Sequence, residues 1–393
     1  MSNEKKQLES ARAPTAAISR TLMAAALALP GLAGSTVVRA ENAPERPIVA
    51  LKYSTYQDSQ PGADRIKVDT PAFFLIAPIT ETIGFDGSLV YDSVSGASPL
   101  YYNTLSGASI IETRKAGDAK ITKYFSRSSV GVGASVSTEH DYLSRGISAD
   151  AKFSSEDNNT TLALGAGYSS DRIHPTSRFY TSGPLLGQPI QEKKHVSDFL
   201  VGVTRVLTAN DLLQTNLTYS TGRGYYTDPY KLFDSRPDSR WQLAWLVRWN
   251  HHLDFNDSAL RLSYRYYYDS WKIRGGTIDA AWHVPLGYGF QVIPSLRYYT
   301  QNAADFYRDP APGGQLPPEA FQGSLFTADQ RLSAFGAFTP GIKVVKMFGD
   351  GWSLDFKAEY YEQRSSWRLN GHGSPGLEPF KAQLYQVGVS KKL

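Results

Sequence analysis

Along most of the chain, apolar and polar positions alternate with period two in segments of about ten residues, the length a tilted strand needs to cross a bilayer. Trp241, Leu243, Trp245, Val247 and Trp249 share one face, while Gln242, Ala244, Leu246, Arg248 and Asn250 share the other. Leu260, Leu262, Tyr264, Tyr266 and Tyr268 oppose Arg261, Ser263 and Arg265. Trp352, Leu354, Phe356, Ala358 and Tyr360 oppose Ser353, Asp355, Lys357 and Glu359 in the same way. A helix, at 3.6 residues per turn, would scatter these sets around its cylinder, so the segments are strands.

Sixteen such segments are predicted: 48–56, 65–76, 82–91, 118–126, 129–138, 146–154, 160–169 and 196–207, then 211–221, 240–251, 258–269, 272–284, 287–300, 329–348, 351–362 and 380–392. The gaps between them carry as much information as the strands. Every second gap is a tight turn, and the alternate gaps are mostly long: 57–64, 92–117, 170–195, 222–239, 301–328 and 363–379. Two gaps of the long series are shorter, 139–145 and the pair Ser270-Trp271. Short turns on one side and long loops on the other are the pattern of an outer-membrane barrel with both termini in the periplasm. The predicted fold is therefore all-β: a single antiparallel transmembrane β-barrel of about sixteen strands (range roughly 12–18), with short periplasmic turns and long outer loops.

A soluble sandwich or propeller would also alternate. A sandwich, however, needs apolar faces only toward its core, and sixteen strands of them would overfill one. A propeller should repeat every four strands, and no such repeat is present. The end of the chain adds a further mark. Gln386-Val387-Gly388-Val389-Ser390-Lys391-Lys392-Leu393 resembles the C-terminal signal read by the barrel-assembly machinery in Gln386, Gly388 and Leu393. Lys391 stands where that signal has a hydrophobic residue, and Leu replaces its usual terminal Phe.

The first 40 residues have a different character and read as a cleavable signal peptide, leaving 41–393 as the barrel. Lys5, Lys6, Arg12 and Arg20 precede an apolar run from Leu22 to Leu29, and Val38-Arg39-Ala40 places small residues at −3 and −1 of a cleavage site. The apolar run is too short to span a bilayer, and no run of about 18 apolar residues follows it. Cleavage removes five basic and two acidic residues from totals of 41 and 37, which leaves a formal charge of +1 and no overall basic surface for nucleic acid. The absence of cysteine excludes disulfides, thiolate metal sites and a lipoprotein anchor. The 24 tyrosines suit the aromatic girdles at the two membrane interfaces.

Two stretches resemble a known family: Tyr53-Ser54-Thr55-Tyr56-Gln57-Asp58-Ser59-Gln60 leading to Arg65-Ile66-Lys67-Val68, and Tyr91-Asp92-Ser93-Val94-Ser95-Gly96-Ala97-Ser98-Pro99. They are similar to the domain-of-unknown-function 3570 family of Gram-negative outer-membrane β-barrels. The resemblance implies genetic company with a periplasmic FMN transferase, a small lipoprotein and a thioredoxin-like protein, and hence a link to extracytoplasmic redox systems. It implies no activity for the barrel itself.

Candidate sites are few. Asp92-Ser93-Val94-Ser95-Gly96-Ala97-Ser98 resembles the acceptor motif of FMN transferases, in which the last hydroxyl is esterified by the flavin phosphate and the Asp positions the acceptor. On that pattern Ser98 carries covalent FMN. The other reading, and the one expected here, is a small-residue loop with no cofactor, because Ser and Gly suit turns, Ser98 stands where the usual acceptor is Thr, and Pro99 follows it. The seven histidines show no metal-ligand spacing. A rim hydrolase would have to draw on His140-Asp141, or on His195 with Ser197 and Asp198. The predicted lumen is mixed in sign, with Arg248, Arg261, Arg265 and Arg297 against Asp279, Asp355 and Glu359, and Lys357 between the last two. Charged rings of this kind can tune ion passage, or they can pair and stiffen the wall. The expected function is a pore or conduit for small solutes and not an enzyme. The alternatives are a structural partner of a flavin/thioredoxin system and a rim hydrolase. Outer-membrane lipid is an expected partner in each case.

Overall fold

The computed structural model describes residues 42–61, 63–97, 109–175, 191–229, 233–309, 318 and 323–393. The expected signal peptide lies outside the described residues. Sixteen strands follow in order. The first four are β1 (Ile48–Gln60), β2 (Ala63–Thr80), β3 (Ile83–Ala97) and β4 (Ser109–Tyr124). Next come β5 (Ser128–Thr138), β6 (Tyr142–Ser154), β7 (Thr160–Ile173) and β8 (Glu192–Val206). The second half begins with β9 (Asp211–Gly224), β10 (Ser239–Leu253), β11 (Ser258–Asp269) and β12 (Arg274–Gly287). It ends with β13 (Phe290–Gln301), β14 (Phe335–Met347), β15 (Trp352–Arg364) and β16 (Phe380–Lys392). Each strand pairs antiparallel with its sequence neighbours, and β1 pairs with β16 from Ile48↔Lys392 to Ser59↔Lys381, which closes the barrel. Closure leaves no edge strand, so every ladder group has a partner without water, as a bilayer requires.

The side-chain period of two divides the wall cleanly. Large apolar groups are exposed on the outside, among them Ile147 (65% exposed), Phe199, Leu217, Trp245, Ile278 and Phe356. Water would penalise such a surface and hydrocarbon accommodates it, so the barrel is of the outer-membrane type. Among the described residues no helix is long and apolar enough to cross a membrane; the crossing is made by strands.

Strand number and gap parity follow the sequence reading, but several boundaries do not. The gap expected at 57–64 shrinks to Pro61 and Gly62, and that expected at 92–117 shrinks to 98–108, because the β3–β4 ladder runs on to Ala97↔Ser109. Beyond the membrane both faces of a strand are wet. The alternation fades there while backbone pairing continues. The reverse happens at 329–334, expected as the start of a strand. There Asp329 accepts from the Arg331 N–H and caps a short 3-10 turn, Gln330–Leu332, and β14 starts only at Phe335. At the short-turn end, Gly289 adopts φ +77°, and a Cβ on it would stand 2.4 Å from the Met347 carbonyl oxygen, so the β12–β13 turn requires glycine.

Candidate functional site

The barrel interior and its outer mouth are the places where chemistry-bearing side chains converge. All eight charged residues expected in the lumen occupy inward positions of the wall. Arg297 Nε donates to Asp279 Oδ1 at 2.6 Å, and Lys357 Nζ lies 2.9 Å from Glu359 Oε1. Lys343, which the sequence reading did not single out, stands 3.5 Å from the buried Asp355. Arg248 donates to Gln214 at 3.3 Å and Arg261 to Asn250 at 3.1 Å. Arg265 is exposed to the interior. Arg297, Lys343 and Lys357 thus meet carboxylates along the wall, whereas the β10–β11 arginines meet amides or solvent. The inward-pointing Asp118, Ser135, Ser148 and Asp198 are exposed as well, so the interior beside β4, β5, β6, β8 and β11 is open to solvent.

The long-loop end is partly roofed. The β13–β14 loop contributes a strap that holds on to several elements at once. Gln301, the last residue of β13, donates to the carbonyl oxygens of Arg331 and Ser333 at 3.0 and 2.7 Å. Gln60, at the tip of β1, donates to Gln330 at 3.3 Å. Ser235 in the β9–β10 loop pairs with Phe326 through two backbone hydrogen bonds. In a ring of sixteen, β1 and β9 stand opposite one another, so these contacts carry the strap across the mouth.

An ionic knot fixes it there. Arg236 Nε lies 2.8 Å from Asp234 Oδ2, and Arg236 Nη2 lies 2.9 Å from Asp329 Oδ2. Arg331 pairs with Asp329 and, at 3.3 Å, with Asp228. Thr327 Oγ1 and the Asp228 N–H donate to Asp234 at 2.6 and 2.7 Å. Burial pushes the Asp234 carboxyl up, against the pull of Arg236. Burial also works against the charge of Arg236, but Asp234 and Asp329 outweigh it and hold the guanidinium above its ordinary value. Beside the knot, Trp271, Ile273, Ala304, Phe306, Tyr307 and Leu332 form a small apolar core, with Trp271 edge-on to Phe306 and Arg240 stacked 3.9 Å over the Trp271 ring.

Residues 102–382 match the family described as "Protein of unknown function (DUF3570)". The chain belongs to this family. The match covers β4 to β15 and the first three residues of β16, and begins beyond both stretches, 53–68 and 91–99, on which the sequence resemblance rested; the membership is carried by the rest of the barrel. No curated protein matches the sequence. Similar solved structures include a bacterial polysaccharide outer membrane secretin, with 7% identity, a TM-score of 0.48, and coverage of 88% of this chain and 98% of that one. Pseudomonas aeruginosa OccK2 (OpdF) has 10% identity and a TM-score of 0.44, with coverage of 88% and 98%. CdiB from Acinetobacter baumannii has 7% identity and a TM-score of 0.46; the alignment covers 87% of this chain but only 60% of CdiB.

The remaining candidates fall in different places. Asp92 is a wall residue of β3, almost wholly buried, accepting from Thr70 Oγ1 and Arg114 Nε at 2.6 Å each. Ser98 lies outside the described residues, as does most of the similar stretch from Asn103 to Ser109. His195 and Ser197 share the outward face of β8, where His195 Nδ1 is 2.9 Å from the Tyr168 hydroxyl, whereas the parity of the strand turns Asp198 into the lumen. The wall therefore separates the acid from the other two members of that hydrolase set. Asp141 is buried in the β5–β6 turn. Among the described residues no three metal-ligating side chains cluster. The knot at the mouth was missed by sequence reasoning, because its members come from loops 93 residues apart and loops carry no period.

Proposed function

We propose that this barrel is a conduit for small polar solutes across the outer membrane, narrowed at its outer end by the β13–β14 strap. The observation that carries this reading is the exposure of Asp118, Ser135, Ser148, Asp198 and Arg265, whose side chains point inward. An inward side chain is exposed only where solvent adjoins it. Sixteen strands enclose enough width for an aqueous path. Pairing of Arg297 with Asp279 and of Lys357 with Glu359 offsets part of the interior charge, which favours weak ion selectivity over a single-sign filter.

Conductance in planar bilayers tests the proposal. Refolded protein should give discrete ionic steps with a reversal potential close to zero in a potassium chloride gradient. Shortening the strap between Ala303 and Ser333 should raise the step size. Silence from both proteins, each shown to be folded by heat-modifiable gel mobility, would sink the conduit.

A further inference from the structure

The outer wall carries a second feature that solute passage does not use. At the long-loop ends of β6 to β9 the outward positions are Arg145, Arg172, Lys193, His195 and Arg223, all exposed. The register makes them a single patch. Arg172 stands directly opposite Lys193, and His195 directly opposite Arg223. Arg145, paired with Ser170, is diagonal to Arg172, and the Lys193 carbonyl oxygen accepts from the Tyr225 N–H, which sets Lys193 diagonal to Arg223. Directly opposed side chains have Cβ atoms about 5 Å apart and diagonal ones about 7–8 Å.

Like charges placed directly opposite on a sheet face destabilise it. The usual remedy is an interleaved carboxylate, and this face has none. Its outward neighbours at this end are Leu143, Ser170, Ser197 and Thr221, while Asp171 and Asp198 of the same strands point into the lumen. Directly below the patch, toward the membrane centre, the surface is apolar and exposed: Ile147, Leu164, Phe199, Val201 and Leu217, with Tyr168 and Tyr219 at the boundary. The Tyr168 and His195 rings lie nearly parallel at a centroid distance of 6.0 Å, and the Tyr168 hydroxyl is 2.9 Å from His195 Nδ1, which keeps the imidazole beside the cations.

We infer that this face binds a phosphorylated glycolipid of the outer leaflet, with its phosphates on Arg145, Arg172, Lys193 and Arg223 and its acyl chains along the Ile147–Phe199–Leu217 surface. The arrangement matches such a lipid at both ends. Guanidinium forks take phosphate oxygens two at a time, and an ammonium adds a point charge. The apolar wall below occupies the depth at which hydrocarbon begins. A free phosphate would gain only the upper half of the site and would remain fully hydrated on its outer side.

The test uses the full barrel refolded in detergent and titrated with bisphosphorylated lipid A, with retained lipid counted by native mass spectrometry. Lipid A should be retained by the wild-type barrel and bound at least tenfold more weakly by an Arg172→Ala/Lys193→Ala double variant. Arg172→Lys should recover part of the loss. Arg205→Ala/Lys346→Ala, which removes outward cations at the short-turn end, should leave binding unchanged. Dephosphorylated lipid A with the same acyl chains should not be retained, and inorganic phosphate at a hundredfold excess should not displace the intact lipid. Equal retention by the double variant, equal retention of the dephosphorylated lipid, or displacement by inorganic phosphate would each overturn the inference. Heat-modifiable mobility checks that the double variant is folded. Should it fail, the single variants Arg145→Ala and Arg223→Ala, at the two ends of the patch, carry the same expectation of weakened binding.

Discussion

Replacement of Arg236 by alanine should release the strap without unfolding the barrel. Its side chain is 9% exposed and faces two carboxylates, Asp234 and Asp329, each 1% exposed. After the substitution Asp329 keeps Arg331 as a counter-ion. Asp234 keeps the Thr327 hydroxyl and the Asp228 N–H, and becomes a buried charge with no cation in hydrogen-bond contact, Arg331 acting on it only at longer range. Stranding one such charge costs about 3–5 kcal/mol, which at about 1.4 kcal/mol per factor of ten raises the open fraction of the strap roughly 100- to 4,000-fold. The wall ladders are untouched, so the cost falls on the roof. Single-channel recording should show larger or more frequently open steps, and trypsin should cut after Arg308 or Arg331 at a rate set by the new opening. Heat-modifiable mobility should stay as in the wild type. Arg236→Lys should fall between the two, because an ammonium can pair but cannot bridge both carboxylates as a fork. Wild-type conductance together with wild-type protease resistance in Arg236→Ala would mean that the knot does not hold the mouth.

Three further outcomes test other parts of the reading. Ile147→Arg should impair assembly and Ser148→Arg should not, because the first points into lipid, where a basic residue costs about 2–4 kcal/mol near the midplane, and the second into the wet lumen; equal folding yields would mean the inside and outside of β6 are reversed. An impermeant maleimide on intact cells should label Leu369→Cys, in the β15–β16 loop, and spare Phe255→Cys, in the β10–β11 turn; the opposite result would invert the barrel. The intact mass of protein co-expressed with an FMN transferase should be that of the unmodified chain if the barrel is only a conduit, whereas an added FMN less water, lost in Ser98→Ala, would establish the flavin-linked reading instead.

The wall was legible in the sequence because its physics is local. Once Trp245 is assigned to lipid, a period of two turns Arg248 inward with no further information, and the same parity carries across β11 to Arg261 and Arg265 and across β15 to Asp355 and Glu359. Where the chain leaves the membrane that constraint lapses. Ser93 to Ala97 read as a loop although the β3 backbone stays paired through Ala97. The roof was not legible at all. Asp234 and Arg236 look like ordinary loop charges, and nothing in their spacing points to Asp329 and Arg331. The pattern from 329 onward reads as a strand, whereas Asp329 caps the turn at Gln330–Leu332. The same parity parts one hydrolase set, since adjacent strand residues such as Ser197 and Asp198 necessarily turn to opposite faces.

Two independent properties of the chain give the barrel the same orientation. One is loop length, which assigns the β13–β14 strap to the outside and the short turns to the periplasm. The other is charge. Among the described residues of the short turns, Glu81, Glu156, Asp157, Asp254, Asp257 and Asp350 stand against the single cation Arg127. At the opposite end the outward face of β6 to β9 is cationic without a carboxylate. The outward face at the short-turn end has cations of its own, Lys123, Arg205, Lys346 and Lys391, but none stands directly opposite another, so what sets the long-loop rim apart is its directly opposed pair, Arg172 and Lys193. That repulsion is relieved if the rim meets the phosphate-bearing outer leaflet, and the acidic turns then meet water. An inverted barrel would set the opposed Arg172 and Lys193 against the less charged leaflet and leave their repulsion unrelieved. The lipid patch and the orientation therefore stand or fall on different measurements, binding for one and labelling for the other, while each makes the other physically intelligible.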